Sequence, residues 1–142
     1  MINKYRSLVR RANSKKLEVS LTFDQFRNLK LQDCDYCGIS EILIKFYCDK
    51  LNVNTPWMSI DRKDNDLGYT LDNCVSSCFL CNKIKGSFFT YEEMKDIGRN
   101  YVYPKFKKFE EEVFEEFQEW CELNVMSSEE IEDFNRYSDF EL

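Results

Sequence analysis

Hydrophobic positions along the first third of the chain fall in short helical groups. Residues 4 to 13 place Tyr5, Leu8 and Val9 on one side of a basic helix, leaving Arg6, Arg10 and Arg11 among its polar positions. Thr22-Phe23-Asp24-Gln25 has the form of a capping box, a hydroxyl and a carboxamide each satisfying a backbone N–H at a helix start, and predicts a helix to about Leu31 with Phe23, Phe26 and Leu29 inward. Residues 38 to 56 show no clear period and end at Pro56, which predicts a loop or irregular insert. Trp57 to Asp61 alternates as a strand does, with Trp57, Ser59 and Asp61 on one face. Arg62 to Gly68 is turn chemistry, and Tyr69 to Asn73 leads into a second short strand, Cys74 to Ser77. A helix from Phe79 to about Lys85 follows, stopped by Gly86. Thr90-Tyr91-Glu92-Glu93 is a second capping box and starts a helix to about Asn100. Pro104 marks a boundary. From Lys105 to Leu123 the residues Phe106, Phe109, Val113, Phe117 and Trp120 step by three or four, an amphipathic helix whose aromatic stripe needs a surface to dock on, here its own domain. Ser127 to Glu130 caps a last short helix, and residues 137 to 142 fray.

A chain of 142 residues makes one domain with an appendage, divided here into 1–104 and 105–142. With 43% hydrophobic and 32% charged residues it is globular, and no apolar run reaches the roughly 18 residues of a membrane span. Met1-Ile2-Asn3-Lys4 opens no signal-peptide stretch, which predicts a cytoplasmic protein. The chain has no histidine, which removes Ser-His-Asp triads, Cys-His proteases, histidine general bases and Cys/His zinc fingers. The net charge of −6 hides an asymmetry: residues 109 to 142 hold thirteen acidic residues and one arginine, a net −12, so the remainder carries +6. A basic body with an acidic tail suits a polyanion partner.

Seven cysteines lie at 34, 37, 48, 74, 78, 81 and 121, an odd number that disfavours a disulfide framework. Cys34-Asp35-Tyr36-Cys37 and Cys78-Phe79-Leu80-Cys81 are two CxxC knuckles 40 residues apart. Two intervening residues let both sulfurs of a knuckle face one ion, and two knuckles complete a tetrahedral thiolate shell for structural zinc. Gly38 suits the tight turn after the first knuckle. Cys48, Cys74 and Cys121 read as small buried apolar residues, with Cys48 and Cys74 as substitute ligands at most.

The densest constellation runs from Ser59-Ile60-Asp61-Arg62 through Gly68-Tyr69 and Asp72-Asn73-Cys74 to Cys78-Phe79-Leu80-Cys81-Asn82-Lys83-Ile84-Lys85-Gly86. A carboxylate at a strand end and an amide on the following helix can converge on one hard cation, and oxygen ligands suit magnesium. Arg62 adds a fixed cation for a phosphate oxygen.

In this ordered set the chain resembles the HNH endonucleases, the ββα-metal or His-Me finger nucleases. The resemblance is strongest to the zinc-stapled subset found in phage genomes and among some restriction endonucleases. It covers roughly residues 5 to 100 and is densest from Cys34 to Gly86. It implies an α+β fold: a small zinc-stapled ββα-metal finger with flanking helices and a C-terminal acidic helical extension. By position Asp61 resembles the metal-binding aspartate of the first box, Asn73 the asparagine that pins the loop, and Asn82 the last metal ligand. Arg62 stands where most relatives have the histidine that activates water. Lys85 resembles the basic residue near the DNA backbone, and Cys34, Cys37, Cys78 and Cys81 match the structural zinc ligands.

Arginine cannot take up a proton, since its pKa exceeds about 12. Three accounts fit that departure: a metal lowers the pKa of a bound water, a tyrosine (Tyr36 or Tyr69) stands in, or the site is inert. Asp-Arg versions of the first box occur in active relatives. The resemblance implies magnesium-dependent (or manganese-dependent) hydrolysis of a DNA phosphodiester, with Lys85 near the backbone and a phage or viral source; the basic residues Arg6, Arg10, Arg11 and Lys83 are further expected backbone contacts, and a homodimer is expected if both strands are cut. The competing expectation is an inactive zinc-stapled module that binds DNA or protein, regulated by its acidic tail.

Overall fold

A computed structural model describes residues 1–54 and 58–124. The helices α1 (Ile2–Ser14), α2 (Phe23–Lys30) and α3 (Glu41–Lys50) precede the strands β1 (Met58–Arg62) and β2 (Cys74–Cys78). Helices α4 (Phe79–Lys85) and α5 (Tyr91–Ile97) follow. A π-helical turn over Gly98–Val102 joins α5 to α6 (Tyr103–Glu112), and α7 (Phe114–Asn124) comes last. The end of the insert at Pro56, the strand start at Trp57, the Ser127 helix start and the fraying end lie outside the described residues.

Both capping boxes form as expected, Thr22 with Gln25 and Thr90 with Glu93. Residues 41 to 50 are a correction: they are helical, not an irregular insert. Ser40 caps α3 by accepting from the Leu43 N–H, and Leu43, Ile44, Phe46 and Cys48 are all buried. A helix covered on more than one side loses the contrast between faces that makes a 3.6-residue period visible.

The strands pair antiparallel with Asp61 opposite Val75 and Arg62 opposite Cys74. A lone hairpin is marginal in water, and this one lies between two cores. Val75 joins the larger core with the four knuckle cysteines, Tyr36, Ile44 and Phe46. Ile60 and Cys74 join the smaller one with Leu8, Leu21, Phe26 and Leu29 of α1, α2 and their connection. Chain direction reverses at the end of β2, so α4 packs back across the hairpin and completes a ββα unit.

Pro104 does not end the helical run; it occupies the first turn of α6, directly after the π-helical turn. The predicted single helix over Lys105 to Leu123 is interrupted at Val113. Its aromatic stripe docks on α3: Phe46 meets Phe109, Phe117 and Trp120, and Tyr47 meets Phe106 and Phe109 edge-on. Phe106 and Val113 are buried in the larger core.

Candidate functional site

The two knuckles bring Cys34, Cys37, Cys78 and Cys81 together in the core, with all four sulfurs within 4.8 Å of one another. Cys37 Sγ and Cys78 Sγ are 3.9 Å apart, near the roughly 3.8 Å edge of a sulfur tetrahedron built on Zn–S distances of about 2.3 Å. The knuckle backbone is in place as well. Gly38, at φ +75°, donates to Cys34 O, and Cys81 N–H donates to Cys78 Sγ. Hydrogen bonds from Cys37, Cys78 and Cys81 pull the Cys34 thiol far below its ordinary range, while Cys37 and Cys81 are pushed up. A divalent cation at the centre would end that competition by taking all four as thiolates. The donor set therefore fits structural zinc. Cys48 and Cys74 lie apart in their cores, where burial raises each thiol to about 11.

Knuckle, hairpin and helix meet at Asp61. Asp61 is buried, 8% exposed as a whole residue. Its Oδ2 accepts from the Tyr36 hydroxyl at 2.5 Å and from Lys85 Nζ at 3.2 Å; among the described residues no hydrogen bond reaches Oδ1. Burial, then the bond to Asp61, push the Tyr36 phenol far above its ordinary range, so it holds its proton. Lys85 is a second correction. It is 0% exposed, and its ammonium also donates to Arg62 O at 2.8 Å, so it cannot contact a DNA backbone from this position.

Asn73 organises the loop between the strands. Its Oδ1 accepts from Asp64 N–H, and its Nδ2 donates to Asp64 O and Gly68 O, all within 3.0 Å. Arg62 works on the same loop from outside: Nη1 donates to Asn65 O and Leu67 O, both at 2.7 Å, and the guanidinium lies 5.1 Å from the centre of the Tyr69 ring. On α4, Asn82 Nδ2 donates to Ser59 Oγ at 2.6 Å, which turns the amide nitrogen toward the strand and leaves its oxygen the open acceptor. Ser59 and Asp61 are two residues apart in β1, so they share a face about 7 Å apart. Asn82 thereby sits one strand step from Asp61.

Asp61, Arg62 and Asn82 line a cleft of about 1300 Å³ between α1 and the ββα unit. Among the described residues, Lys4, Arg11, Lys15, Lys30, Arg62 and Lys83 face it against only Asp61 and Asp66. Of the arginines and lysines expected at a DNA backbone, Arg11 and Lys83 line the cleft, whereas Arg6 and Arg10 are exposed on α1 and do not. Sequence reasoning missed Lys4, Lys15 and Lys30. Lys30 is buried at the cleft wall, where desolvation and then Lys4 pull its ammonium down to about 8 against the opposing pull of Glu41. No described residue of the acidic segment from 109 onward lines the cleft.

The arrangement defines a class: an antiparallel hairpin ending in a carboxylate, a returning helix bearing an amide, and a four-cysteine cluster beneath them. The chain is similar in structure to the rare-cutting HNH restriction endonuclease PacI, with a TM-score of 0.60 and 26% identity, over 71% of this chain and 75% of that one. The fold is HNH-like and α+β, as the sequence implied. The chain is also 31% identical over 128 residues to the uncharacterized protein R423 of Acanthamoeba polyphaga mimivirus. That match takes in 89% of this chain and 20% of the viral protein, so the chain spans about a fifth of that relative's length. No protein-family model matches the chain. No described helix is long and apolar enough to cross a membrane.

Proposed function

We propose that this chain is a metal-dependent endonuclease that hydrolyses DNA phosphodiester bonds. The observation that carries the reading is the placement of Asp61 and Asn82, each with an open oxygen, on one wall of a cationic cleft in an HNH-like fold. Asp61 and Asn82 are the residues that would hold magnesium or manganese, with water and a phosphate oxygen completing a hard-oxygen shell. A cation held there would supply Lewis acidity to a water and to the leaving 3′ oxygen.

The chain's own residues do the rest. Tyr36 and Lys85 clamp one oxygen of Asp61 and leave the other for the cleft. Asn73 and Arg62 fix the loop that follows it. Lys4, Arg11, Lys15, Lys30 and Lys83 supply the sequence-independent, salt-dependent attraction for phosphates. Neither Arg62 nor Tyr36 is placed to take a proton, since the first is always charged and the second is buried and bonded to a carboxylate. Tyr69 is the tyrosine at the cleft. A second reading, a DNA- or protein-binding module without turnover, draws on the missing histidine and on Arg62 being tied into the turn.

Plasmid nicking separates the two. The zinc-loaded protein is incubated with supercoiled DNA in magnesium, in manganese, and without either, beside Asp61→Ala. Metal-dependent nicked or linear product, absent from the variant, supports the nuclease. Linear product without a nicked precursor signals two sites acting together, the sign of a dimer. DNA retarded on a gel with no product in any metal overturns the nuclease and leaves the binding module.

A further inference from the structure

We infer that Phe88 is a wedge that stacks on an exposed DNA base at the rim of the cleft. The contact rests on the DNA half of the reading above and gives the cleft a means of sensing opened duplex.

Phe88 is 85% exposed, the most exposed large hydrophobic side chain among the described residues. Its loop is nevertheless held. The N–H groups of Phe88 and Phe89 both donate to Lys85 O, at 3.1 and 3.2 Å, and Gly86 N–H donates to Asn82 O. Gly86 O in turn accepts from Asn65 Nδ2 at 3.0 Å. The ring stands edge-on to Phe89 with 5.0 Å between centres, and Phe89 packs on the larger core. Thus a benzyl side chain projects into water from a backbone tied to Lys85, whose ammonium holds Asp61.

Position supplies the partner. Gly86 and Ser87 form part of the cleft wall, so Phe88 stands one residue beyond it, with Lys83 of the same wall five residues upstream. A polyanion drawn into the cleft presents its bases at that rim. Every base offers a π-face, and a ring with two rotatable bonds on a pinned loop loses little entropy on stacking. Apolar wedges that enter between base steps act in this way. A second protein chain fits less well. One phenylalanine offers on the order of 200 Å², against about 800 Å² per partner in a stable interface.

The test compares binding, in buffer without magnesium, to a 30-base-pair duplex and to the same duplex with one central abasic site. Opening the stack in advance removes the unstacking cost, so wild type should prefer the abasic duplex by about tenfold. Phe88→Ala should bind the intact duplex within about twofold of wild type and lose the preference, with unchanged thermal stability. Phe88→Trp should keep the preference and add an emission component that DNA quenches. Equal wild-type affinity for both duplexes, or a preference that survives Phe88→Ala, overturns the wedge. So does a change in native mass on Phe88→Ala in the absence of DNA, which would make the residue a protein contact. A Phe88-dependent preference in a protein that never nicks plasmid keeps the wedge and removes the nuclease. No DNA binding at all removes both.

Discussion

Lys85→Met tests the centre of the site most directly. The ammonium lies 3.2 Å from Asp61 Oδ2, with side-chain exposures of 0% and 9% for the two partners. At such burial the neighbouring charge is poorly screened, and removing one partner of a buried ion pair costs about 3–5 kcal/mol because the other is left uncompensated. The lower end applies here, since Tyr36 still donates to the carboxylate. In a chain of 142 residues, about 3 kcal/mol corresponds to roughly 10 °C of melting temperature. The assay is urea or thermal unfolding of zinc-saturated protein for Lys85→Met, Asp61→Asn and the double variant. Asp61→Asn alone leaves a buried ammonium and should also destabilise. The double variant removes both charges and should lose less than the sum, with a coupling of about 1.5 kcal/mol or more. Additive losses, or a loss below about 1 kcal/mol for Lys85→Met, would refute the clamp and return Lys85 to an ordinary side chain.

Metal analysis should find one zinc per chain, lost in Cys81→Ser; because a structural zinc contributes on the order of 10–16 kcal/mol, stripping it should unfold the finger, seen as loss of near-ultraviolet circular dichroism. Gly98→Ala should destabilise by about 1–3 kcal/mol in a thermal melt and lower any nicking rate, since the new Cβ would lie 2.4 Å from Tyr36 O and displace the tyrosine that holds Asp61; an unchanged melt would refute that close approach. Lys30, brought down to about 8 by burial and then by Lys4, should make DNA affinity fall as pH rises from about 7 to 9, and Lys30→Met should flatten that limb. Stability should move the other way: an unfolded lysine titrates near 10.4, so between about 8 and 10 the unfolded chain binds more protons and the folded chain gains stability with rising pH. That gain is absent below 8 and in Lys30→Met, as urea titrations at pH 7.5 and 9.5 would record.

Local chemistry was the readable part of this molecule. Thr22 with Gln25, Thr90 with Glu93, and Gly38 in its knuckle each act within four residues of chain, and each formed as the sequence implied. The four cysteines were readable for a different reason: their spacing matters more than their surroundings. Helix α3 was hidden because its buried residues Leu43, Ile44, Phe46 and Cys48 spread over several sides of the helix, against α7 among others, so the apolar positions set no clear 3.6-residue period. Lys85 was expected near a DNA backbone by resemblance, and nothing near it in sequence reports that Asp61, 24 residues earlier, lies against it. Tyr36 was a candidate base for the same reason; its bond to Asp61 spans 25 residues and reverses its part from acceptor to donor. Such contacts are set by how the knuckle packs on the hairpin, which no local pattern encodes.

Cys78 ends β2, caps α4 by accepting from Cys81 N–H, and belongs to the four-cysteine cluster. Asn82 and Lys85 follow on that same helix of seven residues. Scaffold and chemistry are therefore not separable modules. Moving the Asp61-Arg62 segment into another protein would transfer a carboxylate without the helix that faces it. In a lineage, too, the knuckle and the cleft are bound to change together: drift in one sulfur position tilts α4, and every side chain it presents to the cleft moves with it.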